Sequence, residues 1–253
     1  MENRTVAFCT LGCKVNQYET NGMIQEFIKN GYKVVDFEEK ADVYVVNTCT
    51  VTNMADRKSR QMLRKVKELN PKAILAAVGC YAQVSKEELE KIPEIDLILG
   101  TNKKKDLLEY VNKMLEEREE LNSNTKLEED ITDVLHCEEY VDFGDVTFTE
   151  KTRAVIKVQD GCDRFCSYCI IPYARGHIRS RKPESVVSEI TKIAQNGIKE
   201  VIITGIHLAS YGKDFKEKNY RLIDLLEDIN KIDGIERIRL RITWANTNYR
   251  RIC

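Results

Sequence analysis

A chain of 253 residues has length for one large or two medium domains, each with its own core. Charged residues make up 32% but nearly cancel, to a net charge of −1, so no global basic field announces nucleic acid. No apolar run approaches the roughly 18 residues of a membrane span and no basic-then-apolar leader opens MENRTVAFCT, so the chain reads as cytoplasmic, where nine cysteines serve better as metal ligands than as disulfides.

The first hundred residues alternate short apolar runs with helical patterns. Thr5–Cys9 reads as a strand and Glu19–Lys29 as a helix closed by Asn30-Gly31. Val43–Asn47 is the next strand, followed by a basic helix across Ala55–Leu69 that Pro71 terminates. Ala73–Gly79 is a third strand, Ser85-x-x-Glu88 has the form of a capping box, and Asp96–Leu99 is the last strand before a helix across Lys104–Met114. Such alternation predicts an α/β fold, a doubly wound parallel sheet with helices on both faces. From residue 116 to 147 the sequence turns acidic and reads as a helix end passing into a solvated linker. A second α/β unit, from 148 onward, has strands at Arg153–Val158, Glu200–Thr204 and Arg237–Leu240, with helices across Pro183–Asn196 and Leu222–Ile232.

Within that unit, Cys162, Cys166 and Cys169 stand in GCDRFCSYCIIPYARG. Three soft thiolates on one short loop can serve one metal centre and leave a coordination place open, as sites that do chemistry require. Zinc, with His177 as a distant fourth ligand, is the alternative on spacing alone. The C-x3-C-x2-C spacing with an aromatic, Tyr168, before the last cysteine resembles the radical S-adenosylmethionine (SAM) superfamily. That resemblance implies that Cys162, Cys166 and Cys169 hold a [4Fe–4S] cluster whose open iron binds SAM; Gly205, after the strand at Glu200–Thr204, falls where the superfamily brings backbone close to SAM.

Cys13, Cys49 and Cys80 are distant in sequence but equivalent in place, each closely following a predicted strand: VAFCTLGC, VYVVNTC, ILAAVGC. At the carboxyl edge of a parallel sheet they can converge on a second three-thiolate site, although buried core cysteine is the plainer alternative. In order, TLGCKVNQYET, VVNTCTV and VGCYAQ resemble the three cysteine motifs of the methylthiotransferase N-terminal domain. LGCKVNQYETN, CIIPYARGHIRSR and GIHLASYGKD look like the branch acting on N6-threonylcarbamoyladenosine beside the tRNA anticodon; the other branches act on isopentenyladenosine or a ribosomal protein. The resemblance covers about residues 4–240 and implies a methylthiotransferase domain over 1–115 with an auxiliary [4Fe–4S] cluster on Cys13, Cys49 and Cys80, and a radical SAM core from 148 to 253. It further implies a tRNA anticodon stem-loop as substrate, a reductase or flavodoxin-type electron donor, and a sulfur donor. A zinc or redox-sensing protein is the alternative from another class.

Other residues carry weaker signals. Cys9, inside a strand, reads as core packing; Cys137, beside His136, and Cys253, the last residue, complete no local site. His207 stands where strand ends line α/β active sites, and a hydrogen-bonded loop histidine is the alternative. Arg175, Arg179 and Arg181 suit SAM carboxylate or RNA phosphate, or else a solvated basic face. The same choice applies to Arg57, Lys58, Arg60, Arg64, Lys65 and Lys67. After Leu240 the tail RITWANTNYRRIC departs from the family, which continues through a full β/α partial barrel and a TRAM domain. The expectation is therefore of a truncated core that binds the N-terminal cluster, holds the SAM cluster weakly and does not itself modify tRNA.

Overall fold

The computed structural model describes residues 4–121, 127–148, 152–216 and 219–241. They form two compact units, Met1–Val134 and Leu135–Cys253. Cys253 and the rest of the tail from 242 lie outside the described residues.

The first unit runs β1 (Thr5–Thr10), α1 (Lys14–Lys29), β2 (Lys33–Val35), β3 (Val43–Thr48), α2 (Asn53–Leu69), β4 (Ile74–Gly79), α3 (Cys80–Val84), α4 (Lys86–Leu89), β5 (Leu97–Leu99), α5 (Leu107–Leu121) and β6 (Glu128–Asp130). Its six strands are all parallel in the order β2-β1-β3-β4-β5-β6. β3 and β4 are buried at every position, which is why they read as unbroken apolar runs. Alternate residues serve opposite faces. Ala7, Tyr44, Val46, Leu75 and Ala77 pack with Leu63 and Val66 of α2, while Phe8 meets Phe27 of α1 edge-on at 5.6 Å. The doubly wound α/β sheet is thus present.

Three local expectations change. α1 begins at Lys14 rather than Glu19, because Val15, Asn16 and Tyr18 are buried and the helix starts directly from Cys13, its N-cap. Ser85 makes no side-chain cap to α4; the Glu88 carboxylate instead accepts from Tyr81 Oη at 2.5 Å and Arg60 Nη1 at 3.1 Å. The acidic stretch read as linker supplies β6, paired with β5 from Leu97–Glu128 to Leu99–Asp130. Its Val134, Phe143 and Val146 are buried.

The second unit contains β7 (Arg153–Asp160), α6 (Ile171–Arg175), β8 (Arg179–Ser180), α7 (Pro183–Gln195), β9 (Glu200–Gly205), α8 (Leu222–Ile229) and β10 (Arg237–Arg241). Its sheet has the order β10-β9-β7-β8, with only β8 antiparallel to its neighbour. Ile156, Val158, Val201 and Ile203 pack against Val186 and Ile190 of α7 and Leu225 and Ile229 of α8. Among the described residues, no helix is long and apolar enough to cross a membrane.

Candidate functional site

The topology of the first unit gathers Cys13, Cys49 and Cys80. β1, β3 and β4 are adjacent and parallel, so the chain leaves all three at one edge of the sheet. The order reverses direction between β1 and β3, and ligands of doubly wound sheets bind at such a switch point. Cys49 directly follows β3, Cys80 opens α3 directly after β4, and Cys13 caps α1. Cys49 and Cys80 are buried and Cys13 is half-buried.

Side-chain amides weld these loops together. Asn16 Nδ2 donates to the carbonyls of Leu11 at 2.8 Å and Thr48 at 3.0 Å. Asn47 Nδ2 donates to the Asn16 carbonyl and to Thr20 Oγ1, both at 3.0 Å. Thr48 Oγ1 donates to the Val78 carbonyl at 2.7 Å. Glycine permits the close approach: a Cβ on Gly12 would lie 2.6 Å from Cys49 Sγ, and one on Gly79 would lie 2.6 Å from Asn47 Oδ1. That Oδ1 is buried without a hydrogen-bond partner, an orphaned acceptor beside the turn into Cys80.

In the second unit, Cys162, Cys166 and Cys169 lie on the loop between the carboxyl end of β7 and α6. Gly161, at φ 70°, starts it, and a Cβ there would sit 1.8 Å from the His177 carbonyl oxygen. Cys162 N then donates to the Gly176 carbonyl at 3.0 Å, and Cys169 N to that of Cys166 at 2.9 Å. Cys166 is exposed, and Cys162 and Cys169 are half-buried. Burial pushes the Cys162 thiol up, the backbone and charge of Arg164 pull it down, and the Cys169 and Cys166 thiols push it up further, so the three are electrostatic neighbours. A bound cluster would relieve that repulsion, because metal ligation keeps thiolates deprotonated.

Gln159 bolts this loop to the end of β9. Its Nε2 donates to the carbonyls of Asp160 and Gly161 at 2.6 and 2.7 Å, and its Oε1 accepts from His207 N at 2.7 Å. A Cβ on Gly205 would fall 2.8 Å from that Oε1, so packing against Gln159 already requires a glycine there. The buried His207 has Nδ1 2.6 Å from Ser210 Oγ, and its Nε2 is buried without a hydrogen-bond partner. Burial, with the charges of Arg164 and Lys213, holds the imidazole below its ordinary pKa. Tyr168 is exposed.

Arg175, Arg179 and Arg181 form neither a phosphate-facing nor a solvated surface: all are fully buried. Arg175 Nη1 reaches both Asp160 carboxylate oxygens at 3.2 Å, and Lys157 Nζ reaches one at 2.6 Å. Arg179 donates to the Arg175 carbonyl at 2.6 Å. Arg181 pairs with Glu189, and with Asp142 at 3.0 Å. On the basic helix α2, Arg57, Lys58 and Arg64 are exposed. Arg60 donates to Tyr81, Lys65 to Glu38, and Lys67 meets Asp96.

Among the described residues, no three His, Cys, Asp or Glu side chains form a group that could hold a metal ion. His177, the distant zinc ligand of the sequence reading, has Nδ1 2.7 Å from Asp163 Oδ1. A four-iron cube asks something different, since each thiolate binds its own iron and the sulfurs need not meet at one point. Cys9 is packed against the core cluster, and burial pushes its thiol up. Cys137, half-buried, belongs to no such group. Asn16 and Gln159 carry no sequence signal of their own, although each stands within three residues of a site cysteine.

Residues 5–100 match the family described as "Uncharacterized protein family UPF0004", and residues 156–251 match the radical SAM superfamily. The chain is 43% identical over 93% of its length to a threonylcarbamoyladenosine tRNA methylthiotransferase, MtaB, of Bacillus subtilis, covering 51% of that protein. It is 46% identical over 93% of its length to the MtaB of Aquifex aeolicus, covering 55%. A ribosomal protein uS12 methylthiotransferase, RimO, of Desulfitobacterium hafniense is 37% identical, with 94% of this chain and 52% of that one covered. The chain thus spans about half the length of the curated relatives it matches. Its fold is similar to that of the radical SAM methyltransferase TsrM of Kitasatospora setae, solved with tryptophan and a SAM analogue, at a TM-score of 0.56 and 16% identity over 89% of this chain and 50% of that one. The chain thus carries a match to the UPF0004 family followed by a match to the radical SAM superfamily, and over that span it is similar to about half of the length of tRNA and ribosomal-protein methylthiotransferases.

Proposed function

We propose that the protein is a tRNA methylthiotransferase that replaces a C–H bond of N6-threonylcarbamoyladenosine with a methylthio group. The observation that carries this reading is the placement of two cysteine triads at the carboxyl ends of parallel strands, one in each unit. The names of its most similar relatives support the nucleoside. Cys162, Cys166 and Cys169 would hold the cluster that works with SAM, and Cys13, Cys49 and Cys80 an auxiliary [4Fe–4S] cluster. When bound, cluster and SAM supply a radical able to remove hydrogen from an unactivated C–H bond, given one electron from a reductase or flavodoxin-type donor.

The chain's own residues prepare that chemistry. Gly161 and Gln159 fix the root of the SAM-cluster loop, so the thiolates are presented from a rigid strand end. His207 Nε2 offers a buried polar contact at the neighbouring strand end. In the first unit, the amides of Asn16 and Asn47 tie the Cys13 loop to the Cys49 loop, and the Thr48 hydroxyl ties the latter to the end of β4 before Cys80. Burial of Cys49 and Cys80 would keep water from a cluster held there.

Anaerobic reconstitution with iron and sulfide tests the reading. Cys162, Cys166 and Cys169 changed together to Ala should abolish SAM cleavage and leave about half the iron. Cys13, Cys49 and Cys80 changed together should also leave about half the iron, with SAM cleavage intact. Full iron retention in either variant overturns the assignment, and mass spectrometry of tRNA for the 2-methylthio product tests the substrate.

A further inference from the structure

Among the described residues, every exposed phenylalanine or tyrosine lies in the cysteine loop and the short helix after it: Phe165 (42% exposed), Tyr168 (82%) and Tyr173 (55%). Phe165 and Tyr173 meet edge to face, with centroids 6.0 Å apart and planes at 86°. His177 also meets Phe165, tilted by 57° at 5.9 Å. Asp163 holds that histidine through Nδ1 at 2.7 Å and accepts from Ile178 N at 3.3 Å. The rings are therefore positioned by partners rather than merely left outside.

The backbone makes the same point. Phe165 is the only described non-glycine residue with positive φ, at 44°, a conformation disfavoured for a bulky side chain. Strain of this kind marks places where the surroundings hold a residue for use. Here it presents a ring between Cys162 and Cys166, beside the exposed Arg164.

We propose that Phe165 and Tyr173 form a stacking surface for an unpaired nucleobase of the RNA substrate, next to the nucleoside that reacts. The proposal rests on the RNA reading above and adds the residues that hold the flanking base. Aromatic faces with a neighbouring guanidinium match a flat base attached to phosphate, and RNA is recognised chiefly through unstacked bases in loops. A duplex keeps its bases stacked and offers no face to these rings.

The test measures affinity of the full chain for a tRNA anticodon stem-loop and for a duplex of equal length. Phe165→Gly keeps a residue suited to positive φ while deleting the ring. Combined with Tyr173→Ala it should weaken stem-loop binding about tenfold or more and leave duplex binding unchanged. Tyr173→Phe should stay within about twofold. Iron content is measured on the same samples. Equal stem-loop affinity in the wild type and the double variant, no wild-type affinity, or loss that follows iron loss each overturns the stacking surface. SAM cleavage by the same wild-type preparation shows separately whether the enzymatic reading stands.

Discussion

Gly161 and Gly31 share a left-handed backbone, at φ 70° and 84°, but not a neighbourhood. A Cβ on Gly31 meets nothing within 4 Å, whereas one on Gly161 would overlap the His177 carbonyl. Gly31→Ala should cost about 1–2 kcal/mol, the left-handed penalty alone. Gly161→Ala should cost about 3 kcal/mol or more and lower iron uptake by the adjoining loop; urea titrations of both variants check the contrast. His207 supplies a pH effect of definite sign. Its imidazole is held below the ordinary 6.5, so the unfolded chain binds that proton more readily. The stabilisation is complete above about pH 6.5 and is lost as pH falls toward the folded value. Between about pH 7 and pH 5, His207→Gln should therefore lose stability less steeply than the wild type. Parallel slopes in urea titrations would refute this account.

At the scale of elements, strands with sustained apolar runs were legible. VYVVN and AILAAVG became β3 and β4, which are buried on both faces. β6 was not, because Glu-Glu-Asp has no apolar signature and becomes a strand only through its pairing with β5. β2 and β8 are similarly short and defined by their neighbours. The cysteine positions were legible because each follows a strand closely, but the amides that join their loops act across 31 and 32 residues of sequence. Buried arginines defeated the charge pattern for the same reason: Arg175 finds Asp160 15 residues away, and Arg181 finds Asp142 at 39. β6 has a consequence for where the first unit ends. A fragment of residues 1–115 bares the fully apolar edge Leu97–Leu99, whereas residues 1–134 keep it paired. The longer fragment should be monomeric with cooperative unfolding, and the shorter should aggregate, as size-exclusion chromatography and thermal circular dichroism will show.

For the molecule as a whole, the two thiol sets differ in what creates them. Cys162, Cys166 and Cys169 are neighbours in the covalent chain, so any ensemble that contains their loop contains the set. Cys13, Cys49 and Cys80 become neighbours only when β1, β3 and β4 lie side by side. During synthesis the first ribosome-released portion can collapse early, yet its thiols have no common address until Cys80 has emerged and β4 has joined β3. The later loop needs only its own few residues outside the exit tunnel. On the proposed assignment the first centre would wait on tertiary structure and the second only on its own loop, yet Cys80 leaves the ribosome well before Cys162 is made, so a chelator pulse applied to nascent chains would meet the first set before the second exists.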